Sequence, residues 1–230
     1  LDALMTRTCL RPIPTGQVTK NQALFFGILL SIGSISLLYF SSNFMSASLL
    51  LLTICFYFFI YTVWLKRRTP QNIVIGGAAG ALPPVIGWTI ATGSLSLEPL
   101  ILFLIIFLWT PSHFWALSIY KSKDYKKAKI PMLPIIYGIE KTKKNIFIYS
   151  LLMLPTISAP YYMSFLSKIY FYPTLALTIY YIYLCGTLLK VKKSKEVNTL
   201  ARKIFLYSIF YLFVIFLLIL SDHFLMRFYG

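Results

Sequence analysis

The stretch "GSLSLEPLILFLIIFLWTPSHFWALSIYKSKDY", residues 93–125, decides the fold class. Between Glu98 and Lys121 no Asp, Glu, Lys or Arg interrupts it. An uncharged apolar run longer than about 18 residues marks a helix that crosses a bilayer. Runs of the same kind recur on both sides. Seven spans are predicted, at about 22–40, 45–65, 72–92, 99–119, 145–166, 170–189 and 203–221. Each holds close to 20 residues, and about 1.5 Å of rise per residue gives roughly the 30 Å of a hydrocarbon core.

Composition agrees. Apolar residues make up 58% of the 230, mean hydropathy is +0.75, and only 12% are charged, where a soluble domain has about a quarter. Strands of alternating polarity, which a β-barrel needs, are absent from the pattern. The expected fold is all-α: a polytopic transmembrane helical bundle forming one domain over 1–230, around a central chamber open to the cytoplasmic side.

A net charge of +16 would point to nucleic acid in a soluble protein. Here the cations gather in alternate loops. Segments 1–20, 66–71, 120–144 and 190–203 hold all of the 22 Lys and Arg except Lys168 and Arg227. The excess of cations on the cytoplasmic side of membrane proteins therefore orients the chain: the N-terminal strip and the lysine-rich loops face the cytoplasm, and the C-terminus faces away. No nucleic-acid partner is expected. Cys9, Cys55 and Cys185 stand apart, which supports neither a disulfide framework nor a zinc site.

Three stretches carry candidate chemistry. In "WLKRRTPQN", residues 64–72, Lys66, Arg67 and Arg68 are either positive-inside anchors or an anion clamp with the first N–H groups of the helix that Asn72 opens. In "IGGAAGALPPVIGW", residues 75–88, small residues allow close helix approach and Pro83–Pro84 must bend or break the helix. In "WTPSHFWALSIYKSKDYKKAKIPMLP", residues 109–134, His113 lies about seven residues, roughly 10 Å, inside its span, where an ionisable side chain is a functional candidate. Asp124 is one of only six acids. It is either a neutralising charge in a solvated basic loop or a ligand for a hard cation that holds phosphates. Phe56, Tyr57, Phe58, Phe59, Phe114 and Trp115 are candidates to line an apolar chamber.

These stretches, with "LDALMTRTCLRPIPTG" (1–16) and "IPMLPIIYG" (130–138), resemble the UbiA-type intramembrane prenyltransferases, and among them the branch that farnesylates haem. The resemblance is dense over 1–145; the later spans share mainly hydropathy and "FLYSIFYLFVIFLLIL" (205–220). It implies nine helices and transfer of the farnesyl group of farnesyl diphosphate to a vinyl group of haem B, giving haem O for terminal oxidases. It also implies Mg²⁺ held against the diphosphate by an Asn/Asp-rich motif. Asp2 matches the last aspartate of that motif, and Asp124 stands alone where the superfamily has two. The implied catalytic set is Asp2, Asp124 and Lys121, of which Asp2 and Asp124 would bind the metal and Lys121 would touch the diphosphate. Arg7, Arg11, Lys66, Arg67, Arg68 and Asn72 would bind diphosphate, and His113 would either ligate haem iron or hydrogen-bond. Lys129 stands where relatives generally have Gly, and Ser112 where many have Pro.

The expected setting is a bacterial inner membrane, with membrane lipid, farnesyl diphosphate and haem B as partners and haem A synthase or oxidase assembly factors downstream. Seven spans against nine lead to the expectation that the first two helices are missing and that these residues are inactive alone. Rival readings are a quinone-type aromatic prenyltransferase and a non-catalytic transporter or oxidase assembly subunit.

Overall fold

The computed structural model describes residue 3 and residues 8–229, helical in long stretches and without a strand among them. Helix α1 (Lys20–Ser41) opens on a capping box. The Thr19 hydroxyl accepts from the Gln22 N–H, and the Gln22 side chain accepts from the Thr19 N–H, which satisfies donors that every helix start leaves free. Helix α2 (Phe44–Cys55) is capped by Asn43, whose amide also donates to the Thr89 carbonyl at 2.7 Å. It then widens into a π-helix, Phe56–Leu65. The aromatic and β-branched run "FYFFIYTVWL" is in that respect unexpected, since π-turns are rare and concentrate at functional sites.

The predicted break falls at the double proline. Helix α3 (Asn72–Ala81) stops at Leu82, and α4 (Pro83–Thr92) starts with proline in its first turn, where the missing N–H is harmless. Helix α5 (Leu97–Tyr120) contains Pro111 and remains one helix. Two short helices follow, α6 (Ser122–Lys127) and α7 (Leu133–Ile136). The long helices α8 (Gly138–Tyr162), α9 (Lys168–Lys190) and α10 (Ser194–Tyr229) complete the chain.

Among the described residues six segments are long and apolar enough to cross a membrane: α1, α2 with the π-helix, α3 with α4, α5, α9 and α10. This is a multi-pass membrane protein. The remaining predicted span, 145–166, the fifth in chain order, coincides with most of α8. That helix is long enough, but Pro155, Pro160 and its hydroxyl residues lower its hydropathy, and Glu140, Lys141, Lys143 and Lys144 occupy its first turns. Two expected loops are partly helix: α8 begins at Gly138 and α10 at Ser194, absorbing residues read as loop.

The main core joins α5, α8, α9 and α10. Trp115, Tyr170, Tyr181 and Tyr211 are its largest fully buried side chains. The tyrosine hydroxyls are bonded: Tyr181 to the Ser112 hydroxyl at 2.8 Å, Tyr170 to the Ile157 carbonyl at 3.0 Å, and Tyr211 with Thr178 at 2.9 Å. Lys143, counted in the sequence as a loop cation, is instead wholly buried. It donates to Glu140 Oε1 and the Val191 carbonyl, both at 2.7 Å, and so ties α8 to the α9–α10 turn. At the opposite end, buried Asp222 accepts from the Ser167 hydroxyl and from the N–H groups of Ser167 and Tyr170. It pins α10 to the start of α9.

Candidate functional site

The π-helix delivers Lys66, Arg67 and Arg68 into a tight turn, closed by the Arg68 N–H donating to the Leu65 carbonyl at 2.9 Å. Asn72, almost wholly buried, donates through Nδ2 to the Lys66 carbonyl at 3.2 Å, which locks this turn onto the first residue of α3. Its Oδ1 is buried and has no hydrogen-bond partner among the described residues. A buried acceptor without a donor costs about 1–3 kcal/mol, and a bound hydroxyl, ammonium or cation would relieve it. Lys66 Nζ sits 5.9 Å from the centre of the Tyr61 ring, while Arg67 and Arg68 are exposed.

The second wall starts where α5 ends. Lys121 closes that helix with its ammonium 5.6 Å from the Tyr120 ring centre, and Asp124 lies half-buried in the first turn of α6. One buried cluster joins Ile73, Tyr125, Ala128, Ile130 and Met132. Ile73 follows Asn72 and Tyr125 follows Asp124, so this cluster sets the basic turn beside the Asp124 loop. Of the residues singled out in the sequence, Asn72 and Asp124 each flank a member of that cluster, Asn72 is bonded to the Lys66 carbonyl, and Lys121 opens the helix that carries Asp124; these two segments form one corner. Arg11 is exposed and lines a hollow of about 680 Å³ between the N-terminal strip and α1. Asp2 and Arg7 lie outside the described residues.

A hollow of about 250 Å³ adjoins the corner, walled by Tyr57 and Tyr61, by the glycines of α3, and by Trp109, Thr110 and Phe114. Two of these glycines are closely packed, Gly76 most of all. A Cβ at Gly76 would stand 2.2 Å from Tyr61 Cδ2, and one at Gly77 would stand 3.0 Å from Thr110 Cγ2. A second, wholly apolar hollow of about 570 Å³ lies between Pro83, Pro84, α5 and α10. The two hollows share Ile106 and Trp109. Of the aromatic residues proposed to line a chamber, Tyr57 and Phe114 face the smaller hollow. Phe58 and Phe59 line an outer groove toward α1, and Trp115 belongs to the main core.

His113 is buried against Trp109, the residue that lines both hollows. Its ring stacks between Trp109 (4.2 Å between centres, 20° between planes) and Phe205 (4.6 Å, 28°), and Nδ1 lies 2.7 Å from the Ser208 hydroxyl.

Among the described residues no group of three His, Cys, Asp or Glu side chains gathers as a metal cage. A hard cation that bridges phosphates does not require one. Mg²⁺ keeps several waters and takes one or two carboxylates plus substrate oxygens; the Asp124 carboxylate and the unpaired Asn72 Oδ1 are donors of that kind, on segments that one buried cluster joins. The corner suits an anionic head group; the hollow next to it suits an apolar tail.

The sequence pattern of the UbiA prenyltransferase family matches residues 1–222. The chain belongs to the UbiA prenyltransferase family. It is 65% identical over 222 residues to the protoheme IX farnesyltransferase of Pelagibacter ubique (strain HTCC1062), covering 96% of this chain and 73% of that one. It is 47% identical over 222 residues to the protoheme IX farnesyltransferase of Parvibaculum lavamentivorans, covering 96% and 70%. A solved structure of digeranylgeranylglyceryl phosphate synthase superposes with a TM-score of 0.75 at 21% identity, over 94% of this chain and 75% of that one. That last likeness is one of fold.

UbiA prenyltransferases generally depend on a divalent metal, in keeping with the corner's donor set. Three features of this member escaped sequence reading: the π-helix that aims Tyr61 at Gly76, the Trp109–His113–Phe205 stack, and the partnership of His113 with Ser208. Only the second left a trace, in the four-residue spacing of Trp109 and His113 that sets both on one helix face.

Proposed function

We propose that this prenyltransferase transfers the farnesyl group of farnesyl diphosphate to a vinyl group of haem B, giving haem O. The observation that carries the reading is the 65% identity over 96% of the chain to a protoheme IX farnesyltransferase. Two adjoining hollows that share Trp109 are what a reaction between two apolar substrates requires.

Lys66, Arg67, Arg68 and Lys121 receive the diphosphate, and the first N–H groups of α3 add their dipole. Arg7 and Arg11 complete the basic set. Asp124 and Asp2 would hold Mg²⁺, which when bound neutralises charge on the departing diphosphate. As the C1–O bond breaks, these fixed cations stabilise the leaving group where charge develops. The allylic cation left behind lies among Tyr57, Tyr61, Trp109 and Phe114, whose π-faces attract positive charge and whose packing excludes water. The vinyl carbon donates its electron pair to farnesyl C1. Water then adds to the resulting cation beside the pyrrole and loses a proton, leaving the hydroxyethylfarnesyl side chain. His113 faces the haem.

On this reading α8 also crosses the membrane and brings the spans to seven, the basic corner faces the cytoplasm, and the membrane is a bacterial inner membrane. The quinone-type reading is tested directly. Membranes containing the protein are supplied with farnesyl diphosphate, Mg²⁺ and either haem B or 4-hydroxybenzoate, and products are identified by mass spectrometry. Haem O from the first mixture alone is expected. A prenylated benzoate without haem O would overturn the assignment.

A further inference from the structure

Trp109 and His113, one turn apart on α5, both engage Ser208 of α10, but through different atoms. Trp109 Nε1 donates to the Ser208 main-chain carbonyl at 2.8 Å, whereas His113 Nδ1 meets the Ser208 hydroxyl at 2.7 Å. That hydroxyl has one proton and is also 2.7 Å from the Phe205 carbonyl. A carbonyl can only accept, so the proton belongs to the Ser208–Phe205 bond. If it pointed at His113 instead, two oxygen lone pairs would face each other at 2.7 Å. Both contacts are hydrogen bonds only when Nδ1 carries the imidazole proton and Ser208 Oγ accepts it. A neutral ring protonated at Nδ1 has a bare lone pair at Nε2. Nε2 has no hydrogen-bond partner among the described residues. The stacked rings of Trp109 and Phe205 hold the imidazole plane, so the direction of that lone pair is fixed as well.

We infer that Ser208 is a positioning residue that sets the tautomer of His113 and presents Nε2 as a lone-pair donor. The functional half rests on the reading that His113 faces haem. It separates the two roles open to this histidine: Nε2 can ligate iron or accept a proton, but a neutral His113 has no Nε2–H to donate to the substrate. Partner groups behind a ligating histidine are worth about 10–100-fold in affinity.

The test uses the whole chain, whose two histidines make the experiment simple. Nitrogen NMR of ¹⁵N-histidine-labelled, haem-free protein, with His223→Asn for assignment, should show His113 protonated at Nδ1 and bare at Nε2. Ser208→Ala leaves the main-chain bond to Trp109 in place. It should yield mixed or inverted tautomers and bind haem 10–100-fold more weakly by absorption titration, while Ser208→Thr restores both. A wild-type His113 protonated at Nε2, or an Nδ1–H signature unchanged in Ser208→Ala, overturns the inference about Ser208. The predicted tautomer change with haem affinity and spectrum unaltered upholds the positioning of the ring and overturns the haem-facing reading.

Discussion

The two halves of this bundle are held by different physics. Helices α5, α8, α9 and α10 share a core in which large aromatic side chains are fully buried and the hydroxyls of Tyr170, Tyr181 and Tyr211 are bonded across helices. Helix α1, by contrast, buries no residue, and α2 buries only Ser46 and Ala47. The π-helix and α3 approach through glycine faces rather than interlocking side chains. In a bilayer this is a workable division, since small residues allow close backbone contact where no hydrophobic force drives association. The candidate site lies on the seam. Its basic turn belongs to the loosely packed half, its Asp124 loop to the end of α5, and a small buried cluster joins them. Stability and chemistry should therefore respond to different residues.

The sharpest separation is expected from Asp124 and Asp222. Asp124→Asn should lower farnesyl transfer about 10²–10³-fold, the scale of losing a group that stabilises transition-state charge, with a smaller change in the thermal unfolding midpoint in detergent than Asp222→Ala gives. Asp222→Ala should do the reverse. It strips the acceptor from the Ser167 hydroxyl and from two N–H groups at the head of α9, at a cost of about 2–3 kcal/mol. Activity per folded molecule should stay near that of the parent. If both variants lose activity and stability together, the two halves are not separable.

Gly76→Ala probes the seam itself. The added methyl would stand 2.2 Å from the Tyr61 ring, so the ring must leave its place over α3. An overpacking cost of about 1–3 kcal/mol is expected, with a weaker fit for farnesyl diphosphate, because Tyr61 walls the smaller hollow. A comparison of KM for this variant and for Gly77→Ala, whose 3.0 Å contact with Thr110 is milder, would grade the effect. Equal KM values for the two would place the prenyl chain elsewhere.

How much of this could be read in the sequence depends on what each feature costs in residues. Spans are written in long uncharged runs, and the break at Pro83–Pro84 is written in two prolines. The observed boundaries of α5 and α9 consequently fall within a few residues of the predicted ones. The start of α8 was hidden, because Lys143 reads as a loop cation until Glu140 and the Val191 carbonyl are brought to it. The corner was half legible. Lys66, Asn72, Lys121 and Asp124 announce themselves as polar residues at span ends, but their joining depends on Ile73 and Tyr125, which look like any other apolar residues. Ser208 was illegible for the same reason: a serine in an apolar helix shows nothing of its partner, 95 positions away.

The smallest effect tests the loop that carries Asp124. Helix α6 ends in a motif in which the Ile130 N–H donates to the Tyr125 carbonyl and the Lys129 N–H to the Lys126 carbonyl, both at 3.1 Å. This pairing requires a left-handed residue between them. Lys129 occupies that position with φ of 52°, where a side chain clashes with its own carbonyl and costs roughly 1–2 kcal/mol. Glycine would remove the strain, but it also gives the unfolded chain more freedom to lose, worth about 0.4–1 kcal/mol. The difference leaves Lys129→Gly more stable by about 0.5 kcal/mol, a rise of a degree or two in the unfolding midpoint. Because the substitution keeps both hydrogen bonds, Asp124 stays in register and activity should be preserved. Lys129→Val should act in the opposite sense, since a branched side chain tolerates positive φ least. A loss of activity in the glycine variant would mean that the Lys129 ammonium, and not only the turn it occupies, belongs to the basic corner.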